Sequence, residues 1–260
     1  MLQKKTIVVK IGGSTLGNHD TTLEDLVTLQ RQGVPLVVVH GGAQTVTDWL
    51  TRLGIPTSFI NGLRVTDAES LKVVAGVLGG LVNKELVVAI QALKGKAIGL
   101  SGSDGNLLQA ATKSPDLGYV GKIVKVDPTP VKILLDAGYM PVVSPLSFGS
   151  VGDRTTLLNV NGDAAAGEIA AALSADKLIF LTDVDGIYDD SGQILSKINA
   201  ADAKEMLSSG TASGGMIPKI EACLKALNTV SVARIINGTT SHALLNEINN
   251  GAGGTTIVPK

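Results

Sequence analysis

Short runs rich in valine, isoleucine and leucine recur along this chain, and segments with helical periodicity separate them. Strands that are apolar throughout suit a sheet that helices cover on both faces. When such strands alternate with helices, right-handed crossovers between parallel strands are expected. We therefore predict an α/β fold, an open three-layer αβα sandwich around a mainly parallel central sheet. The predicted strands are residues 7–10, 35–40, 97–100, 140–144, 177–182 and 230–235, and the predicted helices are about 21–32, 43–53, 67–93, 129–137, 162–174, 200–208 and 216–228.

Residues 106–126 and 146–158 interrupt this alternation. Glycines such as Gly118 and Gly152 punctuate both stretches, a pattern typical of β-hairpins. Because surface loops on a rigid scaffold often carry function, we expect these β-hairpins to cover the substrate site.

The length of 260 residues and the 44% hydrophobic content allow one large domain or two lobes. A predicted helix ends just before the strand that begins at residue 177. We therefore predict an N-terminal lobe of residues 1–175 and a C-terminal lobe of residues 176–260.

Basic and acidic side chains nearly balance, with 22 lysines and arginines against 23 aspartates and glutamates and a formal net charge of −1. A chain without a broad positive field does not hold nucleic acid nonspecifically. Aromatic residues make up only 3% of the chain, too few for base-stacking platforms or for the aromatic belts of membrane interfaces. Small molecules are therefore the expected partners, with no nucleic acid and no membrane.

The cysteine count and the N-terminal residues predict a cytoplasmic location. Cys223 is the single cysteine, so no intrachain disulfide can form. Met1 leads into the first predicted strand without an apolar targeting region. We take residues 86–93 as the longest weakly charged stretch, which at ~8 residues is shorter than the ~20 that a helix needs to cross a bilayer.

The first two predicted strands each lead into a glycine pair. Lys10 ends the first strand and precedes Gly12 and Gly13, while the second strand leads into Gly41 and Gly42. Adjacent glycines allow a sharp turn that exposes consecutive N–H groups, and a following helix adds a positive dipole end, so such loops suit a phosphate. The lysine adds a point positive charge. We predict that both loops face one polyphosphate.

Other phosphate and metal motifs are missing from the sequence. There is no Gly-x-x-x-x-Gly-Lys-Ser/Thr loop, and no Gly-x-Gly-x-x-Gly follows the first strand, which disfavours the nucleotide hydrolases and dinucleotide folds that carry them. His40 ends a predicted buried strand, where a histidine is more often structural than a catalytic base. The three histidines and one cysteine show no zinc-like spacing. We predict no metal held by the protein, and magnesium that arrives with a nucleotide.

Asn159, Asn161 and Asp163 lie at the start of the predicted helix 162–174. One asparagine or aspartate in such a place is often only an N-cap. Three polar side chains exceed what one cap needs. We therefore expect some of them to bind polar groups of a substrate or to orient lysines.

Asp183 and Asp185 follow the predicted buried strand 177–182. In an open parallel sheet, ligands gather at the carboxyl ends of strands. The alternative is that both aspartates only form a turn, because Asp-Gly is a common turn pair.

Lys219 follows Gly214 and Gly215 at the start of the predicted helix 216–228. A positive charge in the first turn opposes the helix dipole. An exposed charge without a function is the alternative, but the unfavourable position favours a functional lysine.

Taken in this order, the motifs resemble the amino acid kinase family, and within it the enzymes that phosphorylate N-acetyl-L-glutamate in arginine biosynthesis. The resemblance covers essentially the whole chain. It implies an N-terminal lobe that binds the acyl amino acid and dimerises, and a C-terminal lobe that binds ATP. The implied reaction is ATP-dependent phosphorylation of the γ-carboxylate of N-acetyl-L-glutamate, with Mg²⁺ delivered with ATP, to give N-acetyl-L-glutamyl 5-phosphate and ADP.

The resemblance also implies roles for individual residues. Lys10 and Lys219 are similar to the lysines that neutralise the transferring phosphoryl group, and Asp163 to the aspartate that positions them. Arg64, in the segment 61–66, is similar to the arginine that pairs with a carboxylate of acetylglutamate, for which a bidentate guanidinium is suited. The other implied residues are Gly42, Ala43 and Asn159 for the substrate, Gly12, Gly13, Gly41 and Gly42 for phosphate, and Asp183, Val184, Asp185, Gly186, Ile187, Tyr188, Thr211, Ala212 and Ser213 for the nucleotide.

Two further features bear on the resemblance. Ala43 stands where the family pattern has a third glycine, so the loop keeps its geometry only if this residue adopts ordinary backbone angles. Only a few residues precede the first predicted strand, whereas arginine-inhibited hexameric members have an additional N-terminal helix. The resemblance therefore implies an arginine-insensitive homodimer.

Two other functions stay open. One is a kinase of the same fold that phosphorylates carrier-protein-linked aminoadipate in lysine biosynthesis, although the segment 61–64 is more similar to the acetylglutamate enzymes. The other is a non-catalytic amino-acid or nucleotide sensor. Such sensors commonly lose a catalytic lysine, whereas both Lys10 and Lys219 are present here.

Overall fold

The computed structural model of this protein describes residues 6–12, 21–251 and 253–260. Within these ranges, strands and helices alternate along most of the chain. The strands are β1 (Ile7–Ile11), β2 (Leu36–His40), β3 (Phe59–Ile60), β4 (Leu63–Arg64), β5 (Ala97–Ser101), β6 (Leu108–Thr112), β7 (Gly121–Val126), β8 (Met140–Ser144), β9 (Leu146–Val151), β10 (Arg154–Asn159), β11 (Lys177–Thr182), β12 (Lys197–Asn199), β13 (Val232–Asn237) and β14 (Thr255–Val258). The helices are α1 (Thr22–Arg31), α2 (Ala43–Arg52), α3 (Ala68–Ala75), α4 (Asn83–Ala92), α5 (Thr129–Asp136), α6 (Gly162–Leu173), α7 (Ala200–Ser209), α8 (Met216–Ala226) and α9 (Ala243–Asn250).

The central sheet of the described residues has eight strands in the order β12-β14-β13-β11-β1-β2-β8-β5. Neighbouring strands run parallel except β13 and β14, which are antiparallel. Every residue of β1, β2 and β8 is buried, as expected for strands that are covered on both faces. The predicted αβα sandwich around a mainly parallel sheet is confirmed.

The alternation of side chains along β1 and β2 decides which helices they meet, because successive residues of a strand point to opposite faces. Val8 belongs to the core cluster that includes residues of α6 and α8, while Val9 belongs to the cluster that includes residues of α1 and α4. Lys10 shares the face of Val8 and therefore points towards α6. His40 shares the face of Val38, which packs with α4 in the second cluster.

Both predicted hairpins are present. Strand β6 pairs antiparallel with β7, and β9 pairs antiparallel with β10. A parallel contact between β6 and β9 joins them into a second sheet with the order β10-β9-β6-β7. An isolated bridge connects Val120, just before β7, to Asn159 at the end of β10, and these two residues bring this sheet to the cavity described below.

Several short elements were not predicted. Strand β12 has three residues and lies at the edge of the central sheet, so it carries too little apolar pattern to be recognised. Helix α9 begins after the polar run 239–242 and has a left-handed residue, His242, at its N-cap. Strand β14 follows in the glycine-rich C-terminal region and pairs between β12 and β13.

Helix α3, a π-helical segment (Gly76–Val82) and helix α4 form one continuous helix, Ala68–Ala92. By length and composition alone this helix is long and apolar enough to cross a membrane. The prediction that residues 86–93 form the longest weakly charged stretch was wrong, because the uncharged run 73–83 is longer. One such helix is weak evidence for a membrane span, because core helices pass the same test, and Val74, Leu78 and Ile90 of this helix lie in the core.

Candidate active site

Two lysines from distant parts of the chain meet at one buried carboxylate. Lys10 Nζ lies 2.8 Å from Asp163 Oδ1, and Lys219 Nζ lies 3.2 Å from Asp163 Oδ2. The side chains of Lys10, Lys219 and Asp163 are 10%, 17% and 6% exposed, respectively. Charges that are this buried cost free energy unless they are paired. The structure therefore brings together the three residues for which the sequence suggested a catalytic role.

Three elements place this cluster. Lys10 lies near the end of β1 on the face that α6 covers, Asp163 lies in the first turn of α6, and Lys219 lies in the first turn of α8. Helices α6 and α8 approach closely because Gly167 has no side chain, since a Cβ there would lie 2.7 Å from the Ala222 carbonyl oxygen. This close packing brings Lys219 within reach of Asp163.

Asn161 and Asp163 have different tasks at the start of α6. Asn161 is the N-cap, and its Oδ1 accepts hydrogen bonds from the backbone N–H groups of Asp163 and Ala164. The alternative of a simple cap therefore holds for Asn161. Asp163 leaves the capping to Asn161, and its Oδ2 accepts a hydrogen bond from Lys219. Its Oδ1 makes the close ion contact with Lys10 but no well-aligned hydrogen bond.

The ends of β1 and β2 lie side by side. The Gly41 N–H donates to the Ile11 carbonyl at 2.9 Å. Gly12 is described at the end of β1, and the predicted phosphate-binding Gly13 lies outside the described residues. Gly12 and the Gly41–Gly42 turn therefore lie at the same end of the strands as Lys10.

Gly42 and Ala43 meet different backbone requirements. Gly42 has φ of +144°, and a Cβ there would lie 2.7 Å from Leu78 Cδ2, so this position needs glycine. Ala43 is the first residue of α2 and has no positive φ, so alanine adopts its backbone conformation without strain. The departure from the family pattern at Ala43 therefore leaves the loop geometry intact.

Arg64 is a buried cation whose Nη1 group has no partner. Its Nη2 donates to the Ala43 carbonyl at 3.0 Å and to Thr47 Oγ1 at 2.6 Å. The guanidinium lies 4.8 Å from the centre of the Phe59 ring. Burial lowers the pKa of Arg64, yet arginine stays protonated in proteins. Arg64 Nη1 is buried without a partner, a costly state that a ligand carboxylate would relieve.

Asn159 is held by the segment that carries Arg64. Its Nδ2 donates to Thr66 Oγ1 at 3.2 Å, and Thr66 Oγ1 donates to the Arg64 carbonyl at 3.1 Å. Thr66 is fully buried. This chain of hydrogen bonds fixes the end of β10 against β4.

One cavity of about 220 Å³ lies among most of these groups, although Lys219 does not line it. It contains a buried ammonium and a buried guanidinium, which suits a small ligand with more than one anionic group. The residues with suggested roles that line it are Lys10, Gly41, Gly42, Ala43, Arg64, Asn159 and Asp163.

The suggested nucleotide residues lie outside this cavity. Residues 183–188 follow β11, where Asp183 and Val184 are exposed and Asp185 Oδ1 accepts from Asn237 Nδ2 at 2.7 Å. Residues 211–213 lie just before α8, the helix that carries Lys219. The first segment therefore follows the strand that pairs with β1, the second precedes the helix that carries Lys219, and Asp183 is open to solvent.

His40 is fully buried and does not line the cavity. Its Nδ1 lies 2.7 Å from the Gly41 carbonyl oxygen, and its Nε2 lies 3.2 Å from Asn83 Nδ2. Burial, the largest effect, lowers the pKa of His40 to about 4. These contacts favour the structural reading of His40 over a catalytic base.

Sequence reasoning missed Thr47, Phe59 and Thr66. Thr47 and Phe59 hold the Arg64 side chain, and Thr66 holds Asn159. The only signal was that Thr66 ends the segment 61–66, because the other contacts arise when separate elements pack together.

Among the residues that the structure describes, no group of three or more histidine, cysteine, aspartate or glutamate side chains is placed to hold a metal ion. The carboxylate in the cavity, that of Asp163, is already neutralised by two lysines.

Comparison with known proteins shows the family of this chain. The model of the amino acid kinase family matches residues 5–237. A Dehalococcoides mccartyi (strain CBDB1) protein named acetylglutamate kinase is 47% identical over 255 residues, which cover 96% of this chain and 93% of that protein. A Thermoanaerobacter pseudethanolicus protein of the same name is 46% identical and covers 98% of this chain and 88% of its own length.

A solved structure has the same fold. The N-acetylglutamate synthase from Neisseria gonorrhoeae, complexed with coenzyme A and N-acetyl-glutamate, matches with a TM-score of 0.84 and 28% identity. The match covers 98% of this chain and 60% of that one.

The family match and the relatives named as kinases define a phosphotransferase. The chain belongs to the amino acid kinase family. The predictions of this family and of a kinase are confirmed.

Proposed function

We propose that this chain transfers the γ-phosphoryl group of ATP to the γ-carboxylate of N-acetyl-L-glutamate, which gives N-acetyl-L-glutamyl 5-phosphate and ADP. The relatives named acetylglutamate kinase support this reaction and its place in arginine biosynthesis. The observation that carries the chemistry is the buried Lys10–Asp163–Lys219 cluster beside a cavity that also holds Arg64.

A carboxylate is already a competent nucleophile, so the reaction needs alignment and charge stabilisation rather than a general base. Lys10 and Lys219 would neutralise the migrating phosphoryl group. At ~4 Å and an effective dielectric constant of ~20, each ammonium interacts with one phosphoryl charge by about 4 kcal/mol before desolvation. Asp163 keeps both ammonium groups together before the nucleotide binds.

The substrate end of the cavity is assigned to Arg64 and Asn159. The free Nη1 of Arg64 would complete a bidentate pair with a carboxylate of N-acetyl-L-glutamate. Asn159, held by Thr66, would contact the amino-acid end of the substrate, and Gly42 and Ala43 line the same cavity.

The phosphate and nucleotide assignments follow the glycine turns and the C-terminal segments. Gly12, Gly13, Gly41 and Gly42 would form the phosphate-binding turns, in which the Gly41 N–H is already bonded to the Ile11 carbonyl. Residues 183–188 and 211–213 would bind the nucleotide. Mg²⁺ fits as an ion brought by the ATP phosphates, because both oxygens of Asp163 face lysines. When bound, Mg²⁺ would neutralise phosphate charge.

We assign residues 1–175 to an N-terminal lobe for the acyl amino acid and dimerisation, and residues 176–260 to a C-terminal lobe for ATP. The enzyme is proposed to be a cytoplasmic homodimer, as the resemblance implies. Light scattering would give the mass of a dimer, and a monomer or hexamer would contradict this part of the proposal.

A coupled assay of ADP release tests the function. Purified protein is given MgATP with N-acetyl-L-glutamate, glutamate, aspartate or free aminoadipate. We expect N-acetyl-L-glutamate to be preferred by at least about tenfold in kcat/KM, because only it presents the acylated amine together with a carboxylate for Arg64. Preference for another acceptor would reject the assigned substrate, and no turnover with any of them would favour a carrier-linked substrate or a sensor.

A further inference from the structure

His40 and Asn83 form a buried polar pair next to the Gly41–Gly42 turn, and the chemistry proposed above uses neither side chain directly. Both residues are fully buried. His40 ends β2, and Asn83 begins α4 directly after the π-helical segment. Because polar groups this deep need hydrogen-bond partners, the identity of those partners fixes the state of each side chain.

The partners of the imidazole ring of His40 define its tautomer. Nδ1 lies 2.7 Å from the Gly41 carbonyl oxygen, which can only accept, so Nδ1 carries the proton. Nε2 lies 3.2 Å from Asn83 Nδ2, which can only donate, so Nε2 is unprotonated. The orientation of the Asn83 amide follows from its other partners. Asn83 Nδ2 lies 2.9 Å from the Val142 carbonyl oxygen, and Asn83 Oδ1 lies 3.0 Å from Lys84 Nζ.

The ring is therefore neutral. Protonation of Nε2 would set two donors, the ring and the Asn83 amide, against each other. Desolvation by burial is the largest cause that lowers the pKa of His40 to about 4. The hydrogen bond to the Gly41 carbonyl opposes this shift, whereas the positive charges of Lys10 and Lys84 add to it. A single protonation state thus persists throughout the neutral pH range.

The Gly41–Gly42 peptide connects the hydrogen bond of His40 to the cavity, because Gly41 supplies the carbonyl and Gly42 lines the cavity. In a trans peptide the carbonyl and the following N–H point in opposite directions, and the described residues contain no cis peptide bond. Because the Gly41 carbonyl points towards His40, the Gly42 N–H points away from the ring. Gly42 lines the cavity together with Lys10, and Leu78 of the π-helical segment confines it from the side.

We propose that His40 and Asn83 are positioning residues that aim the Gly42 N–H at the transferring phosphoryl group, an inference that rests on the proposed kinase function. His40 holds the Gly41 carbonyl, and Asn83 holds the ring of His40 in the Nδ1–H form. A donor that is oriented before the reaction stabilises developing charge without reorganisation. The long helix thereby supports the phosphate loop through Asn83.

The tautomer is tested first, by long-range ¹H–¹⁵N correlation spectra of the ¹⁵N-labelled full chain. We expect the His40 signals of a neutral ring with the proton on Nδ1 from about pH 8 down to about pH 5, where an ordinary histidine would become charged. A ring protonated on Nε2, or a charged ring in this range, would overturn the proposal.

Two substitutions of His40 separate its two hydrogen bonds. The amide nitrogen of asparagine can reach the place of Nδ1, whereas the amide of glutamine reaches the place of Nε2. His40→Asn therefore keeps a donor for the Gly41 carbonyl, and His40→Gln loses it. We expect His40→Gln to lower kcat by about 10- to 100-fold with KM values within about threefold, and His40→Asn to retain at least about a third of the parent kcat. Equal kcat values in the two folded variants would overturn the proposal.

Ile90→Ala is the control for lost stability. Ile90 is fully buried in the same helix as Asn83 and is apolar, so its truncation leaves the polar pair in place. We expect this variant to be less stable but to keep kcat within about twofold when folded. A fall in kcat as large as that of His40→Gln would assign the effect to stability and would contradict the proposal.

Two further measurements keep the proposal testable. If His40→Gln does not fold, Asn83→Leu takes its place in the test. We expect this variant to have a mixture of His40 tautomers and a lowered kcat. An unchanged tautomer and an unchanged kcat would contradict the role of Asn83.

If the parent chain releases no ADP with any acceptor, the proposed function fails, but the amide signal of Gly42 still tests the geometry. That signal should move more in His40→Gln than in His40→Asn, and equal shifts would contradict the orientation.

Discussion

Lys10 and Lys219 contact opposite oxygens of one buried carboxylate, that of Asp163. One lysine comes from the first strand and the other from the first turn of α8. The two ammonium groups repel each other, so the arrangement is stable only because the carboxylate of Asp163 lies between them. A phosphoryl group that enters beside the carboxylate would meet two ammonium groups that are already in place.

Removal of either ammonium should reduce turnover. We expect Lys10→Ala or Lys219→Ala to lower kcat by about 10²–10³, or about 3–4 kcal/mol of transition-state stabilisation, because each lysine acts on charge that develops during transfer. Coupled ADP-release kinetics measure this change. Lys225→Ala is the matched control, because Lys225 lies on the same helix but pairs with Glu168 and is 52% exposed. Turnover of Lys10→Ala or Lys219→Ala within tenfold of the parent would contradict the assigned roles.

Neutralisation of Asp163 should harm the empty protein more than the liganded one. Asp163→Asn leaves two buried ammonium groups without their counter-charge, so we expect unfolding free energy to fall by roughly 3 kcal/mol. MgADP should restore part of this loss, because its phosphates supply negative charge. Thermal melts with and without MgADP measure the effect. A MgADP shift no larger than that of the parent protein would argue against phosphate binding at the two lysines.

Replacement of the guanidinium should weaken substrate binding more than turnover. In the parent protein, Nη2 of Arg64 binds the Ala43 carbonyl and Thr47, while Nη1 has no partner. Arg64→Lys keeps the charge but loses this planar guanidinium. We expect KM for N-acetyl-L-glutamate to rise by about 10- to 100-fold with kcat within about threefold. Arg52→Lys is the control, since Arg52 stacks over Trp49 on the surface. An unchanged KM in Arg64→Lys would place the substrate carboxylate elsewhere.

A second ion pair should make stability depend on pH. Asp25 of α1 is buried, and its carboxylate accepts from His242 Nδ1 at 2.7 Å and from the Leu245 N–H at 3.1 Å. The side-chain hydrogen bond to Asp25 is the first cause that raises the pKa of His242. A raised pKa in the folded state means that this pair stabilises the protein below the unfolded pKa of histidine, and that the contribution is lost as pH rises through the folded pKa.

Urea unfolding of the parent protein and of His242→Gln at a series of pH values tests this sign. The difference in unfolding free energy should be largest at acidic pH and should shrink towards alkaline pH. Asp25→Asn should abolish the pH dependence of that difference. A difference that grows as pH rises would show that the pair is not ionic.

The sequence predicted the central strands closely because they are buried on both faces. Runs such as 140–144 and 177–182 coincide with β8 and β11, since no polar alternation blurs their limits. The edge strand β12 and helix α9 have no such pattern, and their positions depend on pairing with β14 and packing against α1.

The candidate site was predictable where the backbone geometry requires particular residue types. Glycine pairs mark the turn at Gly42, and Asp163 follows a helix cap. The support for Arg64 left no trace in the sequence, because Thr47 and Phe59 approach it only after α2 and β3 have packed. The π-helical segment that confines Gly42 was likewise invisible, since it reads as ordinary helix.

Substitutions of the adjacent residues Gly42 and Ala43 should have opposite consequences. Ala43 already has helical backbone, and Arg64 uses only its carbonyl, so Ala43→Gly should cost about 0.5–1 kcal/mol of stability and leave KM values within about threefold. Gly42→Ala would add a Cβ 2.7 Å from Leu78 Cδ2 at φ of +144°, so we expect the loop to shift and kcat to fall by about tenfold or more. Calorimetry and ADP-release kinetics on both variants measure these effects. If Gly42→Ala kept full activity, the close contact with Leu78 would be without consequence and the phosphate loop would not depend on glycine there.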